Sequence, residues 1–143
     1  MANLTQDRTD INWSQGVNYR FKVAASQTLY RGSLVAINNA GYIVKASDAA
    51  NTKCIGYAIE GIKTGSTRSD DDEIMVRMDG AIKLTWNNNT AATQAVVGDF
   101  AYVEDDQSVD AVGVTTNDIK VGRIIDIVDS GSAVIVRLSD KSD

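Results

Sequence analysis

The chain has 143 residues, 43% of them hydrophobic and 23% charged, with a net charge of −5, the size and composition of one ordinary globular domain. It contains no histidine and a single cysteine, which excludes imidazole acid–base chemistry, Ser–His and Cys–His nucleophiles, internal disulfides and thiolate zinc clusters. No run approaches the roughly 18 consecutive apolar residues of a membrane span, and the amino terminus lacks a hydrophobic signal segment.

Residues 1–69 carry 8 Lys/Arg and 4 Asp/Glu, while residues 70–143 carry 6 Lys/Arg and 15 Asp/Glu. An acidic chain without a basic cluster is a poor candidate for coating nucleic acid, because phosphate binding needs several converging cations. The asymmetry suits docking between subunits, or it averages out if the halves interleave in one fold. Branched residues set the structural class. Against 15 Val and 13 Ile there are only 5 Leu, and the β-branched types fit a pleated surface better than a helix. The chain reads as all-β, a small β-barrel or sandwich of short antiparallel strands with an extended N-terminal arm.

In chain order, residues 1–18 scatter Leu4, Ile11, Trp13 and Val17 in a polar background. That density is too low for a core of its own. It suits an arm that lies along the domain or anchors a few large side chains in a neighbour's pockets. The domain proper is expected over 19–143. Tyr19, Phe21 and Val23 alternate with Arg20 and Lys22 as a strand with one buried face. Asn38-Asn39-Ala40-Gly41 predicts a hairpin between Leu34–Ile37 and Tyr42–Lys45. Ile74, Val76 and Met78 oppose Met75 and Arg77, and a second hairpin is expected at Met78-Asp79-Gly80-Ala81. Ile82, Leu84 and Trp86 then oppose Ala81, Lys83 and Thr85. A helical turn or two is expected around Thr90–Val97. Asp105-Asp106-Gln107 separates Phe100–Glu104 from Ser108–Val112, and Val134, Val136 and Leu138 close the chain opposite Ile135 and Arg137. With no proline anywhere, strand edges lack one usual blocker against pairing.

Two stretches echo each other. Gly32-Ser33-Leu34-Val35-Ala36-Ile37 resembles Gly98-Asp99-Phe100-Ala101-Tyr102-Val103, and a second glycine, Gly56 or Gly122, follows each leading one after 24 residues. Ile74–Met78 matches Val134–Leu138. The pattern predicts two related β units, 32–78 and 98–138, packed into one core. The first is longer by six residues within Thr64–Glu73.

Few residues offer chemistry. Asp70-Asp71-Asp72-Glu73 lacks the spaced pattern of a calcium loop and reads as a solvated turn, with cation binding left open. Glu104-Asp105-Asp106 reads as turn chemistry. Cys54 has no histidine partner and suits burial. Trp86-Asn87-Asn88-Asn89-Thr90 combines an aromatic with amides, as a sugar platform does, or simply ends a strand. Gly61-Ile62-Lys63-Thr64-Gly65 lacks the order of a phosphate loop. No catalytic set, metal site or cofactor site is expected, and the chain is not read as an enzyme.

Residues 19–138 resemble the capsid decoration, or cement, proteins of tailed bacteriophages. The likeness rests on Leu29-Tyr30-Arg31-Gly32-Ser33-Leu34-Val35-Ala36 with Asn39-Ala40-Gly41-Tyr42, and on Ile55-Gly56-Tyr57-Ala58. It continues in Val97–Val109, where Tyr102-Val103-Glu104-Asp105-Asp106-Gln107 is the most specific element, and in Val121–Asp126 and Ala133–Leu138. The resemblance implies a β-barrel or sandwich on the outer surface of the virion capsid. It implies a homotrimer that bridges subunits of the major capsid protein and contacts neither nucleic acid nor membrane. Leu4, Ile11, Trp13 and Tyr19 are then the expected partner contacts, with Arg8 and Arg20 steering them. The alternatives are another virion part, such as a tail-tube or head-fibre protein, or a carbohydrate-adhering domain.

Overall fold

The computed structural model describes residues 18–87 and 90–138. Among these the structure is all-β, with two single-turn 3-10 segments at Gln94–Val96 and Asp129–Gly131. The first of these stands where the sequence predicts helical turns. Of the expected arm, 1–18, residues 1–17 lie outside the described residues, and Asn18 belongs not to an arm but to the first strand.

Five strands form a first sheet: β1 (Asn18–Lys22), β3 (Leu34–Ile37), β4 (Ile43–Lys45), β5 (Lys53–Ala58) and β7 (Glu73–Arg77). Their spatial order is β1-β7-β5-β3-β4, and a parallel bridge from Val23 to Ile43 brings β4 back to the end of β1. Two short strands, β2 (Thr28–Leu29) and β6 (Ile62–Lys63), pair beside this sheet. The remaining strands are β8 (Ala81–Trp86), β9 (Phe100–Val103), β10 (Ser108–Asp110), β11 (Lys120–Val128) and β12 (Ala133–Arg137). They close into a barrel ordered β10-β8-β12-β11-β9.

The two units share one pairing scheme. Val35 faces Gly56 as Ala101 faces Gly122, and Leu34 faces Tyr57 as Phe100 faces Arg123. Each of these ladders carries an irregularity beside its glycine pair. Ala58 faces Val76 as Ile124 faces Val136, and Phe21 faces Ile74 as Leu84 faces Val134. Even the parallel closure repeats, with Val23 beside Ile43 and Trp86 beside Val109. The scheme therefore takes in β1 and β8, strands that lie before the stretches whose sequences echo each other. The six additional residues of the first unit lead from β6, which contributes Ile62 to that unit's interior as its partner β2 contributes Leu29. Thr64 secures the insertion: its hydroxyl donates to Ala24 O at 2.8 Å and accepts from Gln27 N at 2.8 Å.

Alternation predicts most of the buried faces, but Met78 and Ile82 are only half-buried. At β1, Val23 is buried, Phe21 half-buried and Tyr19 exposed, because nothing among the described residues covers that end of the strand. Ile74 and Val76, Leu84 and Trp86, and Val134, Val136 and Leu138 are all buried. The apolar interior divides in two, however, where the sequence pattern points to one core. Val23, Leu29, Val35, Ile43, Ala58, Ile74 and Val76 fill the first unit. A second cluster fills the barrel and takes in Leu34, Ala36, Ala46 and Cys54 from the first unit. Strand β3 thus buries Val35 on one face and Leu34 and Ala36 on the other. That is why it reads as an unbroken apolar run instead of alternating.

The Asn38–Gly41 hairpin between β3 and β4 and the Asp105–Gln107 turn between β9 and β10 form as expected. Met78–Ala81 does not form a hairpin. Strand β7 pairs with β1 and β5, whereas β8 pairs with β12 and β10, so Asp79-Gly80 links the two units. Gly80, at φ +93°, supplies the left-handed backbone the link needs, and its carbonyl accepts from Leu138 N at 2.9 Å. An Asp-Gly pair fixes a turn but not which strands later pair across it.

Candidate docking face and the seam between the units

Of the six expected contact residues, Leu4, Arg8, Ile11 and Trp13 lie outside the described residues, and Tyr19 and Arg20 lie on β1. Tyr19 is 38% exposed and meets Phe21 edge-on, ring centroids 5.4 Å apart. Its neighbour Phe21 is half-buried against the first core, so the aromatic pair runs from interior to surface. The Arg20 guanidinium donates to Glu60 Oε1 at 3.1 Å, and the same oxygen accepts from Met75 N at 3.0 Å. Both side chains of the pair are nearly half exposed, so it contributes at most about 1 kcal/mol. What it does is orient Arg20. No local pattern in the sequence marks Glu60, because its partner is 40 positions away.

The seam between the units is held by polar contacts around the shared apolar cluster. Leu34 N donates to Asp106 O at 2.7 Å. The Asp48 carboxylate accepts from Thr116 N at 2.7 Å, from Asn117 N at 2.8 Å and from Asn117 Nδ2 at 3.0 Å. The Thr116 N–H, aided by the donors of Asn117 and opposed by partial desolvation, holds the Asp48 carboxyl below the ordinary aspartate range. A carboxyl with a depressed folded pKa adds stability that is complete above its unfolded value near about 3.9 and is lost as pH falls through the folded one. Asp48→Ala is therefore expected to cost about 1 kcal/mol at neutral pH. It should also flatten the acid limb of stability below about pH 4, as urea denaturation over a pH series would show; an unchanged acid limb contradicts this role.

Elsewhere, Phe100 is flanked by the Lys120 ammonium at 4.2 Å and the Arg123 guanidinium at 4.3 Å from its ring centroid. Arg123 also donates to Gly98 O at 2.6 Å. Phe100 and Leu34 occupy matching places in the two units, yet Leu34 is sealed in the seam while Phe100 is half-buried beneath cations.

The acidic runs behave as turns. Asp70 is fully exposed, Asp72 Oδ2 accepts from Ser69 N at 2.8 Å, and Asp105 Oδ1 accepts from Gln107 N at 2.9 Å. Among the described residues no three His, Cys, Asp or Glu side chains converge as a metal site. Cys54 is buried in the seam. Trp86 is 7% exposed and donates through Nε1 to Thr90 O at 3.1 Å, so its ring presents no face for a sugar to stack upon. No protein-family model matches the chain, and no curated protein matches it.

Proposed function

We propose that this protein is a structural virion component that binds the outer surface of an assembled phage capsid and stabilises it by bridging subunits of the major capsid protein, acting as a homotrimer. The observation that carries the reading is the junction at Asn18. There, residues 1–17, with Leu4, Arg8, Ile11 and Trp13, run into a strand whose Tyr19 is exposed and whose Arg20 is held in place. Behind that strand stand two β units joined by a shared apolar cluster and by the Asp48 contacts. The resemblance in Tyr102–Gln107 and the glycine-led strands supplies the phage context.

Mass action is the mechanism. A protein that binds the assembled shell and not its dissociated subunits shifts the balance toward the intact shell. Many copies, each adding a modest interface, together raise the temperature or pressure at which the shell opens. The test is to add the purified protein to heads that lack it. Expected are saturable occupancy by sedimentation and a higher temperature of DNA release. Removing residues 1–17 is expected to lower apparent affinity at least tenfold; unchanged occupancy would refute the role of the arm. Wild-type protein that never stays on the heads refutes the function itself.

A further inference from the structure

Backbone direction in β1 identifies polar groups that the other described strands leave open. Val23 N donates toward β7, to Asp72 O at 2.8 Å, and Ala24 N donates the other way, to Ile43 O of β4 at 2.9 Å. Successive strand residues turn their backbone groups to opposite edges. Tyr19 and Phe21 therefore face β7 with Val23, while Asn18, Arg20 and Lys22 face away from it with Ala24. In the second unit the matching edge is sealed one residue further, where Thr85 N donates to Gln107 O at 3.0 Å and Thr85 pairs with Ser108. In the first unit β4 reaches β1 only at the Val23–Ile43 bridge. The N–H and C=O of Arg20 and the N–H of Lys22 consequently have no backbone partner among the described residues, whereas the parallel bridge at Val23 and Ile43 engages the Lys22 carbonyl.

Side chains say what this edge accepts. Arg20 and Lys22 project to the outer face and Tyr19 and Phe21 to the inner one; Arg20 is already paired with Glu60, and Lys22 makes no ion pair among the described residues. A second copy pairing β1 with β1 would set Arg20 and Lys22 against the same cations, and like charges directly opposite are destabilising. An incoming strand gains most with carboxylates beside Arg20 and Lys22 and apolar side chains beside Tyr19 and Phe21.

We propose that β1, Asn18–Lys22, is a docking edge for an extended strand of another protein in which Asp or Glu alternates with apolar residues. The inference rests on the capsid-binding role above, which makes the shell subunit the source of that strand. The partner's backbone pairs with the N–H and C=O of Arg20 and with the N–H of Lys22, and its alternation sets the register.

The experiment titrates a synthetic nine-residue peptide of alternating Val and Glu into the full chain, following amide exchange at Arg20 and Lys22. Both amides should exchange fast in the protein alone and at least tenfold slower with the peptide, and a Val/Lys peptide should bind at least tenfold more weakly. Lys22→Pro removes an outward N–H without touching the β7 ladder and should abolish binding. If that variant does not fold, the Arg20→Glu, Lys22→Glu pair keeps the backbone and should reverse the preference toward the Val/Lys peptide. Slow exchange in the protein alone overturns the proposal. Independence of concentration then identifies residues 1–17 of the same chain as the cover, and dependence identifies a second copy. Equal binding of both peptides also overturns it. On heads, Lys22→Pro occupancy equal to wild type overturns the strand inference and leaves the capsid-binding role intact. Wild-type failure on heads with Val/Glu binding retained removes that role and supports the edge's chemistry.

Discussion

Gly122→Ala and Gly56→Ala are each expected to destabilise the protein by about 3 kcal/mol or more, lowering the melting temperature by roughly 10 °C. The reason is contact. A Cβ on Gly122 would sit 2.0 Å from Arg137 O and 2.8 Å from Arg137 C. A Cβ on Gly56 would sit 2.0 Å from Arg77 O and 2.9 Å from Arg77 C. In each case the obstacle is the backbone of the paired strand, which cannot rotate aside as a side-chain tip can. Gly98→Ala is the control: it has a positive φ of +95° but no atom within 4 Å of the added carbon, so about 1 kcal/mol is expected. Thermal or urea denaturation of the three variants decides the matter. Gly122→Ala within 1 kcal/mol of wild type would mean that β11 and β12 do not cross as closely as described.

Trp86→Ala is expected to cost about 3–5 kcal/mol, the range for emptying a large buried aromatic site. Trp86 stands at the parallel closure of the barrel, where it faces Val109, and it belongs to the cluster shared across the seam. Trp86→Phe keeps most of the packing and loses the Nε1–H donated to Thr90 O, for which about 1–2 kcal/mol is expected. Denaturation of both variants gives the two values. A Trp86→Ala protein of wild-type stability that lost binding to a glycan array would instead restore the sugar-platform reading.

The sequence made the β class and the face of each amphipathic strand legible, since alternation such as Ile82-Lys83-Leu84-Thr85-Trp86 is local information. It made two turns legible for the same reason. It failed at Met78–Ala81, where Asp-Gly signals a bend and the fold uses that bend to pass from one unit to the next. Of the candidate docking site, Tyr19 and Arg20 were legible as ends of an alternating strand. Glu60 and Asp48 were not, because each acts on groups brought near only by folding, 40 and 68 positions away.

The sequence by itself determined that this chain forms short β-strands, which face of most of them turns inward, and that the glycines in the two stretches recur at equal spacing. Only the tertiary structure decided what those glycines are for. A strand can cross another closely enough to place Arg137 O 2.0 Å from a Cβ position only once the partner strand is in place. Tertiary structure alone also decided which of two equivalent faces is sealed. Leu34 and Phe100 follow the same pattern in sequence, but Leu34 meets the other unit and Phe100 meets Lys120 and Arg123. Periodicity is a property of neighbours along the chain, whereas burial of a sheet's second face depends on what distant segment arrives to cover it.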